Sequence, residues 1–252
     1  MELALTLPAI VRGIVNGLIY GSLLGSVAVG LSLIWGVMKV VNLAHGHIVV
    51  LGGMLTAFLF MKYGGAYINP ITLFVLMTAV GAAMGFVLYW TALHNIIGKA
   101  DIITLKLEMS SLMTTFGIGL IIYGLHYVIN GIYPDYVTEP SLGWSLGKPP
   151  YIQIEFLRIE KTRLLVAALG LTLALMTHLF MNKTMIGLHI RAAAQDSRAL
   201  ALAGVDPIKV KLAATIVASA VAAASGALYV AYQKSISPLA EHIVAPLSFV
   251  IV

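Results

Sequence analysis

Long apolar runs without charge constrain this chain more than anything else in it. Gly13 to Met38, Tyr63 to Gly98, Met109 to Pro134, Leu164 to Asn182 and Leu212 to Gln233 contain no Asp, Glu, Lys or Arg, and Val40 to Met61 is a sixth such run. Each reaches the roughly 17 to 25 residues that a helix needs to cross a bilayer. Only 10% of the 252 residues are charged and 60% are hydrophobic, whereas about 25% charged is usual for soluble domains. The expected fold is therefore all-α, a polytopic membrane helix bundle of at least six to seven spanning helices, with a seventh beginning near Ile243. Several runs exceed one bilayer thickness, which predicts broken or tilted helices.

Composition also excludes functions. The net charge of +5 is not concentrated in a basic run with interleaved aromatics, so no nucleic-acid partner is expected. There is no cysteine, hence no disulfide, thiolate metal site or catalytic thiol. The spans contain no Asp or Glu, which argues against proton- or sodium-coupled transport, since coupling ions need such groups. No phosphate-binding G-x-x-x-x-G-K-[ST] loop is present either, so the chain does not hydrolyse ATP by that route. An intramembrane enzyme would need a nucleophile with a base, or a metal cluster, and the spans show no such constellation.

Two hydrophilic stretches, about 131–162 and 183–211, are separated by one span and so belong on opposite membrane faces. Lys183, Arg191, Arg198, Lys209 and Lys211 make the second slightly richer in basic residues, which places it in the cytoplasm. The first is punctuated by Pro134, Pro140, Pro149 and Pro150, and Tyr151 to Phe156 partly alternates, so a short hairpin or an extended cap is expected there. In the second, Asp196 is placed to cap a short helix from Ser197 to Ala203 that Gly204 ends. Asp206-Pro207 then starts the next span.

Gly13, Gly17, Gly21 and Gly25 recur every fourth residue and form a smooth stripe for helix packing, a spacing that Gly81 with Gly85, and Ala218 and Ala222 with Gly226, repeat. Asn42-Leu43-Ala44-His45-Gly46-His47 interrupts the apolar runs. Irregular backbone at membrane depth survives only when buried in protein or lining a wet cavity. Asn42, His45 and Gly46 are thus candidates for a translocation path or gate, the alternatives being a simple interhelical hydrogen bond or a loop at the cytoplasmic surface near Lys39. Metal binding is disfavoured because His45 and His47, two apart, do not share a helix face. Gly52 and Gly53 allow either close packing or a second break, and His94, His126 and His178 each occur singly in apolar surroundings.

These residues carry a resemblance. The series from Gly17 to Gly53, with Gly36, Val37, Val41, Asn42, Ala44, His45 and Gly46 in a G-V-x-x-[IV]-N-x-A-H-G pattern, resembles the H-type (LivH-like) permease subunits of branched-chain amino acid ABC importers. A second block, Gly187 to Asp196 with Ala199 and Gly204-Val205, is similar to that family's cytoplasmic G-x-x-[IM]-R-A-x-A-Q-[DN] loop. The resemblance implies one transmembrane permease domain over residues 1–252, multi-pass in the cell (inner) membrane and surrounded by lipid. It further implies a second permease subunit, two ATP-binding cassette subunits and an external substrate-binding protein, with ATP used by the partners and no cofactor bound here. Arg191, Asp196, Arg198, Ala199 and Gly204 then become candidates for ATPase coupling. Urea or short amides are alternative cargoes, and a stand-alone channel is the alternative mechanism. Family members continue into a G-G-x-G-S segment, whereas His242 to Val252 is too short to span, so the chain is expected to be truncated there.

Overall fold

A computed structural model describes residues 7–63, 70–98, 104–132, 151–154 and 157–240. The helices are α1 (Leu7–Met38), α2 (Ala44–Tyr63), α3 (Pro70–Leu88), which continues as a π-helical segment Tyr89–Gly98, and α4 (Leu105–Ile132). A two-stranded hairpin, β1 (Tyr151–Ile154) and β2 (Leu157–Glu160), leads into α5 (Lys161–Lys183), α6 (Met185–Gln195), α7 (Ser197–Leu202) and α8 (Pro207–Gln233). Among the described residues six helical stretches are long and apolar enough to cross a membrane. The expected seventh, near Ile243, lies outside the described residues.

Side-chain contacts set the directions of the spans. Arg163 reaches Asn16 at 3.5 Å and Gly170 abuts the Ser22 carbonyl, so α5 runs parallel to α1. Ser26 and Ser225 hydroxyls lie 2.9 Å apart and Gly30 abuts Ala218, so α8 runs antiparallel to α1. The ends of α1, α3 and α5 and the starts of α2, α4 and α8 therefore gather at one end with α6 and α7, called here the loop end. The hairpin occupies the other. There Lys234 and Arg163 both pair with Glu160, tying the finish of α8 to the start of α5, and Arg158 stacks on Tyr151 across the strands. Of the two expectations for this region the hairpin is the one that forms, with Tyr151 opposite Glu160 and Ile154 opposite Leu157.

The core lies around α8, of whose most apolar window 78% is buried, against 17% for α4. Small residues explain why. A Cβ on Gly81 would lie 2.4 Å from the Ser219 carbonyl, and one on Gly85 2.7 Å from that of Thr215. Gly52 and Gly53 abut Ala223 and Gly226 inside an unbroken α2, so they serve close packing and not a second break. Without a hydrophobic drive between helices in lipid, such backbone approach is what holds a bundle together. Several hydroxyls in the spans are satisfied locally, as where Thr56 donates to the Gly52 carbonyl and Thr215 to that of Lys211, while the buried Ser219 hydroxyl has no partner among the described residues.

The α1 stripe, expected to serve helix packing, has open space in front of it. A Cβ on Gly13, Gly17, Gly21 or Gly25 would meet nothing within 4 Å, so this face packs on no described element of the chain. Spacing shows that a face is smooth, but not whether anything lies against it.

Candidate functional site

The interruption after α1 is well defined. Lys39 adopts a left-handed φ of 54°, its N–H still bonded to the Trp35 carbonyl, and the chain turns through Val40 to Leu43 into α2. The Asn42 side-chain oxygen accepts from the Ala44 N–H at 3.0 Å, satisfying one of the orphan donors at the start of α2. The Leu43 N–H donates to the Thr115 hydroxyl of α4 at 3.2 Å. His45 Nε2 lies 3.1 Å from the Val27 carbonyl of α1, its ring against Gly30.

Partners fix the depth. Leu43 meets α4 about 15 Å along from Leu105, and Met38, in contact with Thr215, meets α8 about 12 Å along from Pro207. Measured from the last charged residues, Glu108 and Lys211, the break sits about 6 to 10 Å inside the apolar zone. Asn42 and His45 are 0% and 1% exposed. The interruption is thus interior, with His45 against Val27 and Gly30 of α1 and Gly46 buried. Yet the Asn42 Nδ2 and His45 Nδ1 atoms are buried without a hydrogen-bond partner.

Beside the break runs a feature that reading the residues one at a time missed. Ser111, Thr115, Gly119, His126 and Asn130 share one face of α4, with the first four buried. His47 of α2 fits against Gly119, where a Cβ would fall 2.4 Å from its ring, and it lies near Tyr123, ring centroids 6.3 Å apart. The Tyr123 and Tyr127 hydroxyls are 2.9 Å apart, and Asn130 Oδ1 is buried without a hydrogen-bond partner. From Ser111 to Asn130 this polar stripe extends about 28 Å, close to the roughly 30 Å of a hydrocarbon core. His126 is therefore not solitary. Its seven-residue offset from Gly119, taken with Thr115 and Ser111, was the available signal. His94 instead stacks on Trp90, centroids 4.4 Å apart, and His178 bonds Asn182 one turn on.

At the loop end the expected short helix is present. Asp196 Oδ1 accepts from the N–H groups of Arg198 at 2.8 Å and Ala199 at 3.1 Å, and Gly204 ends the turn with a φ of 83°. Asp206 accepts from the Ile208 N–H at 2.9 Å with Pro207 in the first turn of α8. The stretch holds more helix than expected: α6 precedes α7, while α8 starts at Pro207 as the Asp206-Pro207 signal indicates and so includes Lys209 and Lys211. Thr184 caps α6 by accepting from the Gly187 N–H at 3.0 Å. Gly187 lies so close to Phe180 and Met181 that a Cβ would fall 2.3 Å from the Phe180 carbonyl, which is why a glycine stands at this turn.

Each proposed coupling residue has a distinct setting. Arg191 turns back to donate to Asn182 at 2.9 Å, and Asp196 is used as a cap, while Arg198, Ala199 and Gly204 face outward. Leu202 on the same short helix is 90% exposed, an apolar side chain that sequence reasoning overlooked. Underneath, Lys211 is 2% exposed and donates to the Ile97 carbonyl at 2.9 Å, and Tyr89 donates to that of Ile208 at 3.0 Å. The start of α8 is thereby tied to the π-helical end of α3. Among the described residues no group of three or more His, Asp or Glu side chains is placed to hold a metal.

Comparison with curated proteins and with solved structures gives no match. The family described as branched-chain amino acid transport system / permease component does match, over residues 13–252, a range that includes the interruption, the polar stripe and the α6–α7 unit. This multi-pass membrane chain belongs to the branched-chain amino acid transport permease family.

Proposed function

We propose that the chain is a transmembrane subunit of an ATP-driven importer in the cell (inner) membrane, carrying branched-chain or related small amino acids by alternating access. Two ATP-binding cassette subunits, a second permease subunit and an external binding protein complete it. The observation that carries this reading is the α6–α7 unit. It offers Arg198, Ala199 and the exposed Leu202 on a capped helix and continues through Gly204 into α8, the most buried span. A push on α7 is delivered to the centre of the bundle. In this reading Asp196 acts by capping α7, and Arg191 by holding α6 on α5.

The path runs along the polar stripe between α2 and α4, with Asn42 near its loop end. A polar track of bilayer length is costly against lipid and suits a zwitterion passing in stages. His45 and Gly46 hold the break in register. Loop-end exposure to the cytoplasm follows from this assignment.

Reconstitution of the chain with its partner subunits and binding protein in proteoliposomes tests the reading. Uptake of a branched-chain amino acid that requires ATP and all components is the expected result. Uptake by this chain alone, without ATPase subunits, would establish a stand-alone channel and overturn it, and uptake confined to urea or short amides would overturn the cargo.

A further inference from the structure

A groove of about 380 Å³ opens between α1 and α5 near the loop end. Val29, Leu33, Ala174 and Met181 give its lining an apolar part, and Ser32, Thr177, His178 and Asn182 a polar one. Asn182 links two of the polar groups: its amide nitrogen is 2.9 Å from His178 Nε2, and its oxygen receives the Arg191 guanidinium. Ser32 also borders a second, shallower hollow with Trp35, Gly36 and Lys39. Trp35 is exposed on the outer surface, as aromatic residues are at the headgroup level of membranes. Among the described residues no carboxylate lines either hollow.

We propose that this groove holds one anionic phospholipid, its phosphate against Arg191, Asn182 and His178 with Lys39 alongside, and its acyl chains descending over Val29, Leu33, Ala174 and Met181. Lys39 on the second hollow and Arg191 held on Asn182 of the first select a negative headgroup, as basic pockets between spanning helices do on the cytoplasmic side. The apolar wall selects a lipid over a soluble anion, which would leave that wall in contact with water. The lipid bridges α1, α5 and α6, because Arg191 belongs to α6 while Asn182 belongs to α5. It thus braces the joint from which α6 and α7 project.

The assembled transporter in detergent, titrated with phosphatidylglycerol and with phosphatidylcholine and followed by native mass spectrometry, provides the test. The expected result is one phosphatidylglycerol retained preferentially, with affinity falling about fivefold in each of Arg191→Gln and Lys39→Gln, and abolished in Ser32→Phe, which fills the groove. A photoactivatable phosphatidylglycerol should label peptides from α1 and α5. Equal retention of phosphatidylcholine, competition by inorganic phosphate alone, unchanged binding in the two charge variants, or labelling confined to other helices would each overturn the proposal. The charge variants lie at exposed positions, so they decide the matter even if Ser32→Phe fails to assemble.

Discussion

Gly226→Ala adds a single methyl group where the structure leaves no room for one. The new Cβ would fall 1.9 Å from the Val49 carbonyl oxygen and 2.8 Å from the Gly53 nitrogen. Ordinary contact would require α2 and α8 to separate by about 1.5 Å, and both obstacles are backbone. A gap of 0.5 to 1 Å already forfeits about a quarter to a half of a dispersion contact. The same movement would loosen Gly52 against Ala223 and Gly53 against Ile236. Overpacking costs roughly 1 to 3 kcal/mol, and a backbone-on-backbone clash belongs at the upper end. About 3 kcal/mol corresponds to a melting temperature lowered by roughly 6 to 12 °C in a chain of this size.

Gly17→Ala is the matched control, since its Cβ meets nothing within 4 Å and alanine favours a helix by about 1 kcal/mol over glycine. Thermal unfolding of the purified subunit in detergent, read by size-exclusion of a fluorescent fusion, should show a large loss for Gly226→Ala and none for Gly17→Ala. Equal melting of Gly226→Ala and the parent, or equal damage from both substitutions, would refute the packing argument.

Gly204→Val forces a β-branched residue to a φ of 83°, a strain of about 1 to 3 kcal/mol placed at the joint between α7 and α8. Substrate-stimulated ATPase activity of the assembled complex should be lost while membrane insertion persists, with Gly204→Asn retaining most of it. Asn42→Ser keeps a capping oxygen and removes the buried Nδ2, so uptake should fall with melting unchanged; wild-type uptake would leave Asn42 a cap and nothing more. Lys211→Met takes a charged donor from the Ile97 and Gly98 carbonyls, and a hydrogen bond of that kind contributes about 1.5 to 3 kcal/mol. A lowered melting temperature is expected, and an unchanged one would mean that burying the ammonium costs as much as its bonds return.

Local chemistry was legible in the residues where the cause is local. Asp196, Gly204, Asp206 and Pro207 act on their own backbone within a few positions, and the structure puts each where its side chain or its φ requires. The packing role of Gly81, Gly85, Ala218, Ala222 and Gly226 could also be read, because small-residue spacing describes a helix surface directly. Long-range relations could not. Nothing near Gly17 in the chain distinguishes its open face from the crowded one of Gly81, since the difference lies in which helix stands opposite. The same limit hid Lys211, a cytoplasmic loop charge by position and a buried tie by contact. α6 was missed because Gly187 and Thr184 look like loop residues until Phe180 and Met181 are seen packed against them.

The depth of the interruption connects the two halves of the proposed mechanism. Had α2 begun at the membrane surface, Asn42 would be one more helix cap facing water. It begins instead beside Thr115, at the loop end of the polar stripe on α4, while His45 reaches the other way to α1 near Ala218 of α8. The five residues from Lys39 to Leu43 therefore lie between the proposed path and the helix that receives motion from α7. Gly30 packs so closely between Ala218 and the His45 ring that a Cβ there would fall 2.9 Å from each, so under the proposed mechanism a shift of α8 at Ala218 would press on both. It would then move the start of α2, and with it the Leu43 to Thr115 bond at the loop end of the stripe. Under the proposed mechanism the unpaired Asn42 Nδ2 would be the donor offered to cargo as that bond opens, and its removal should then reduce uptake and leave the fold intact.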